Sequence, residues 1–87
     1  MNVFECITTE EGNGASEFRL ATDRGNFIIT GFLSFDCEEW TIDSDYYYYH
    51  ELDQQAEIHS LDKIEEVKQA LLFWCENNLE SLEYFKN

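Results

Sequence analysis

The stretch SLDKIEEVKQALLFWC, residues 60–75, decides how the chain is read. Before it, apolar residues mostly alternate with polar ones. Within it they recur at steps of three and four. Ile64, Val67, Leu71, Trp74 and Cys75, continued by Asn78, Leu82 and Phe85, form one helical face, the seam by which a helix docks on something else. Ser60 is a good N-cap, and Asp62 falls in the first turn, where the helix dipole favours a carboxylate. The period predicts one helix over about 61–85, with Asn77-Asn78 as the place where it would break or bend.

Upstream, the shorter period predicts strands at about 3–9, 16–22, 27–35, 38–43, and 46–51 or 55–59. In the first, Phe4 and Cys6 would point one way and Val3, Glu5 and Ile7 the other. Glu10 to Gly14 reads as a hairpin turn, as does Asp23 to Asn26. Phe18 and Leu20 share one face. Phe27 to Phe35 is apolar on both parities, the mark of a central strand. Trp40 and Ile42 would face inward, Asp43-Ser44-Asp45 would turn, and Tyr46 to His50 is strongly β-favouring. The expected fold is α+β: one domain over 1–87, an antiparallel sheet of four to five strands with one long C-terminal helix packed across it.

Composition narrows the classes of function. The 87 residues suffice for one domain. At 44% hydrophobic and 16% aromatic, the chain is too apolar for a disordered acidic tail. It carries 19 acids against 5 Lys and Arg, a net charge of −14. Nucleic acid and anionic lipid would repel such a surface, so direct binding to either is not expected, and a basic partner is. No apolar run reaches membrane-spanning length, and the N-terminus lacks the pattern of a signal peptide. Cys6, Cys37 and Cys75 are odd in number and far apart, which fits neither a disulfide framework nor a zinc site. Each is expected to pack as a small apolar residue in a reducing cytoplasm.

The charge is not spread evenly. Residues 1–35 hold five acids and two bases, residues 36–66 eleven acids and one base, and residues 67–87 three acids and two bases. On the helix, Asp62, Glu65, Glu66, Glu76, Glu80 and Glu83 fall within about a third of the circumference, opposite the apolar seam. Like charges at three- and four-residue spacing cost a helix about 0.2–0.5 kcal/mol each. Such acids can serve solubility alone, but −14 exceeds the roughly 2–8 that solubility asks. The preferred reading is a docking surface made of Asp36, Glu38, Glu39, Asp43, Asp45, Glu51, Asp53, Glu57, Glu65, Glu66, Glu76, Glu80 and Glu83. Two tyrosines of the run, assigned to the outward face as Tyr47 and Tyr49, would supply apolar anchors, and Phe73 is a further exposed candidate.

Catalysis finds little in the sequence. His50-Glu51 lacks the second His of a metalloprotease helix, and Asp43-Ser44-Asp45 lacks the Gly and Glu of a calcium loop. No enzyme activity, metal or cofactor is expected. A Cys37–His50 pair meeting in space would be the one exception.

Compactness, the −14 charge, the acids of 36–66 and of Glu76, Glu80 and Glu83, and the interleaved Tyr and Trp together resemble the small acidic anti-defence proteins of phages, the anti-CRISPR proteins and anti-restriction DNA mimics. The resemblance is one of kind and rests on no shared motif. It implies a non-enzymatic inhibitor that denies nucleic acid to a CRISPR effector or restriction enzyme, as a monomer or a homodimer. An immunity or antitoxin protein that neutralises a basic nuclease toxin would need the same electrostatics.

Overall fold

A computed structural model describes residues 1–11, 14–51 and 54–78. The strands are β1 (Val3–Glu10), β2 (Ser16–Thr22), β3 (Gly25–Asp36), β4 (Glu39–Glu51) and β5 (Gln54–Glu57), followed by the helix α1 (Leu61–Asn77). The strands form one antiparallel sheet in the order β1-β2-β3-β4-β5, so every neighbour in sequence is a neighbour in space. The helix lies across one face, and the chain is an α+β fold. Among the described residues no helix is long and apolar enough to cross a membrane.

The core follows the alternation. Phe18 and Leu20 of β2, Phe27, Ile29 and Leu33 of β3, and Trp40, Ile42 and Tyr47 of β4 meet Val67, Leu71 and Cys75 of α1. Full burial of one such side chain contributes about 1.5–3 kcal/mol. Ser60 caps the helix by accepting from Lys63 N–H at 3.3 Å. At the other end, the Asn77 and Asn78 amides donate to the carbonyls of Phe73 and Trp74, at 2.9 and 2.8 Å. Asn78 leaves helical geometry (φ −134°, ψ 39°). The described helix thus ends at Asn77, at the expected place of a break or bend, with the two asparagine side chains satisfying its last carbonyls. The proposed continuation through Leu82 and Phe85 lies outside the described residues, as do Asp53, Glu80 and Glu83.

Two strand readings are corrected by bulges. Residues 38–43 and 46–51 are not two strands joined by a turn; they are one strand, β4. Thr30 pairs with Tyr46 and Phe32 with Asp43, so Ser44 and Asp45 together face the single residue Gly31. A Cβ on Gly31 would run into the Asp43 carbonyl and the Ser44 Cβ, so glycine is what lets the two strands approach. The Ser44 hydroxyl donates to the Thr30 carbonyl and accepts from Tyr46 N–H at 3.0 Å, which satisfies the broken ladder. In β1, the register shifts between Val3 and Glu5. Val3 and Cys6 therefore pack on the core, while Phe4 and Ile7 are exposed.

Candidate functional site

The β4 bulge sets which side chains the sheet presents. It adds one residue, so inward parity changes along the strand: Trp40 and Ile42 before it, Tyr47 after it. Tyr47, expected to face outward, is buried at 5% exposure. Burial, reinforced by the Glu65, Asp45 and Asp43 carboxylates, pushes its phenol up from the ordinary range. Tyr49 shares the inward face but lies at its rim. Its ring packs on Phe27 at 5.2 Å between centroids and stays 40% exposed. Tyr46, on the opposite face, is the most open of the run, at 55%.

The carboxylates fall in three groups. Asp36, Glu38 and Glu39 crowd the β3–β4 hairpin tip, where Asp36 and Glu39 are directly opposed. The two residues between them, Cys37 and Glu38, both take left-handed backbone (φ 53° and 62°), the geometry of a type I′ turn. Cys37 is exposed there, contrary to its expected burial, and its thiol donates to Asp36 at 3.6 Å. Asp43, Asp45 and Glu65 make the second group, strand and helix acids whose charges all bear on the Tyr47 phenol. Glu51 and Glu57 flank the β4–β5 edge, with Glu57 opposite Tyr48. Glu76 is exposed eleven residues beyond Glu65, roughly 16 Å along the helix, and stands apart from these groups.

Among the described residues, most of these acids pair with no cation. Among the described residues the ion pairs join Arg19 to Glu17, Arg24 and Lys63 to Glu66, and His59 to Glu57. Asp36, Glu38, Glu39, Asp43, Asp45, Glu51 and Glu65 take part in none of them. Glu66 does not belong with the free acids: it is half-buried and shared by Arg24 at 3.6 Å and Lys63 at 3.4 Å. Arg24 reaches it from the β2–β3 turn, a tertiary contact that helix periodicity does not reveal.

The sheet also presents aromatic and aliphatic side chains that the sequence reading passed over. One helix covers one face of a five-stranded sheet. No described element packs on the other face, where Ile7, Phe32 and Tyr46 are each more than half exposed. The available signal was the second parity of β3, whose apolar residues need not be covered merely because they are apolar. Cys37 lies at the hairpin tip and His50 pairs with Asn26 at the far end of the ribbon, so they do not meet. Among the described residues no cluster of three His, Cys, Asp or Glu is placed to hold a metal. No protein-family model, curated protein or solved structure matches the chain.

Proposed function

We propose that this chain is a non-enzymatic inhibitor of the anti-CRISPR or DNA-mimic kind. It would set an acidic, aromatic-bearing surface against the basic nucleic-acid-binding groove of a bacterial defence complex. One observation carries the reading: among the described residues, exposed carboxylates outside any ion pair line the β3–β4 ribbon, and its uncovered face bears the exposed rings of Phe32 and Tyr46. Unpaired carboxylates repel one another and so cost stability. A basic groove would relieve that repulsion, and long-range attraction would speed the encounter. The rings would supply apolar contact and accept stacking guanidinium groups. Tyr47 is excluded from this surface by its burial.

Affinity capture from bacterial lysate at low salt tests the reading. The expected result is a nucleic-acid-binding complex, identified by mass spectrometry, that is displaced by added duplex DNA and by raised salt. Capture that DNA does not compete would overturn it.

A further inference from the structure

The sheet ends in β1 on one side and β5 on the other, and among the described residues no element pairs with the outer edge of either. An open edge presents a row of main-chain N–H and C=O groups to which another strand can bond. β5 is a poor template: it has four residues, all exposed, and only Ala56 among them is apolar. β1 is eight residues long and regular from Glu5 to Glu10. It contains no Pro or Lys, the residues that usually blunt an edge, and its Phe4 and Ile7 are 70% and 52% exposed. The hairpin fixes the direction of its free groups. Glu11 N–H donates to the Ala15 carbonyl at 2.8 Å. Counting back by twos, Thr9, Ile7 and Glu5 also turn their main-chain groups toward β2, so those of Cys6, Thr8 and Glu10 point outward.

We infer that β1 docks on β1 of a second copy, antiparallel about a two-fold axis at Ile7, and joins the two five-stranded sheets into one. This does not rest on the function proposed above. Self-complementarity selects the occupant: a two-fold interface needs a patch that matches itself, and an antiparallel strand pair is one. Side chains select the register. With Ile7 opposite Ile7, Cys6 and Thr8 of each copy exchange N–H···O bonds with Thr8 and Cys6 of the other, which uses the outward groups. The two isoleucines become a closely spaced, non-hydrogen-bonded pair on the uncovered face, and Glu5 lies opposite the second copy's Thr9. Moving the axis to Thr8 would set Glu5 against the second copy's Glu11, two like charges. Moving it to Cys6 would set Ile7 against Glu5. Charge favours the same edge. Residues 36–66 hold eleven acids and one base, residues 1–35 only five acids and two bases. A joint at β1 keeps the acidic strand β4 three strands away. Pairing β1 with the second copy's β5 would instead leave both edge types free and grow a filament, whereas β1 on β1 closes. The contact is small, which places the dimer among weak, transient ones.

The test is sedimentation equilibrium of the whole chain over a concentration series at low and raised salt. The mass should climb from 10.3 kDa toward twice that value and stop there. Raised salt should favour the dimer, because it screens two copies that each carry −14; capture of a basic partner has the opposite salt dependence. Ile7→Lys, at an exposed position, sets two ammonium groups against each other at the axis. It should hold the mass at 10.3 kDa with the melting temperature unmoved. In a Cys37→Ser background, Ile7→Cys should cross-link residue 7 to residue 7 under mild oxidation about tenfold or more faster than Thr9→Cys links residue 9 to itself, since Thr9 lies opposite Glu5. The inference is overturned if the mass stays at 10.3 kDa up to about 1 mM chain, or if it grows beyond the dimer. It is equally overturned if Ile7→Lys associates as the unaltered chain does, or if residues 7 and 9 cross-link alike. All of these readouts use the isolated chain, so the acidic-surface reading stands or falls separately, through its capture from lysate.

Discussion

Three thiols occupy three environments, and each environment dictates a reactivity. Burial pushes the Cys75 thiol up to about 12 and the Cys6 thiol up to about 11. Cys37 is exposed at the ribbon tip. Thiolate is the reactive form, so iodoacetamide at pH 8 should alkylate Cys37 roughly tenfold or more faster than the other two in the folded protein, as peptide mapping would show. The same burial links stability to pH. The fold favours the protonated thiols, and that contribution is complete below the unfolded thiol value of about 8.5. It is lost as pH rises through 11 and 12. The urea midpoint should therefore fall above about pH 9, and fall less steeply in the Cys6→Ala/Cys75→Ala variant. A midpoint that stays flat to pH 11 would contradict this. Gly31 is the other residue whose identity is dictated locally. Gly31→Ala drives a methyl into Asp43 and Ser44 and should cost about 1–3 kcal/mol in urea unfolding, as overpacking does.

Among the elements, the β3–β4 ribbon contains both the strain and the surprise. Left-handed Cys37 and Glu38 each carry a backbone penalty that Asn-Gly, the preferred type I′ pair, largely avoids. Cys37→Asn/Glu38→Gly should raise unfolding stability by about 1 kcal/mol or more. A loss of stability would show that the turn is not of this type. The helix and the alternating strands β2 and β3 were legible in the sequence, since 3.6- and 2-residue periods are local properties. The β4 bulge was not. It depends on Gly31 lying opposite Ser44, a contact between strands, and the unbroken polar segment Asp43-Ser44-Asp45 reads equally well as a turn. One inserted residue inverts the faces of everything after it, which is why Tyr47 was assigned outward and is buried. The bulge in β1 did the same to Phe4. For the carboxylates, exposure was legible and pairing was not, as the contact of Arg24 with Glu66 shows.

For the whole molecule, the −14 charge becomes a particular distribution. The apolar residues of one sheet face and the inner side of α1 make the core. Among the described residues, carboxylates outside any ion pair gather along the β3–β4 ribbon. The other sheet face offers rings. Glu38→Gln/Glu39→Gln/Asp45→Asn/Glu51→Gln removes four like charges that make no ion pair among the described residues, so the melting temperature should hold or rise. This variant isolates charge from folding. The decisive measurement is its capture of the lysate partner, beside the unaltered chain, across a salt series. The unaltered chain should hold a nucleic-acid-binding complex at low salt and lose it as salt rises, with the variant holding at most about a tenth as much. Equal capture by the two proteins, or capture indifferent to salt, would contradict it.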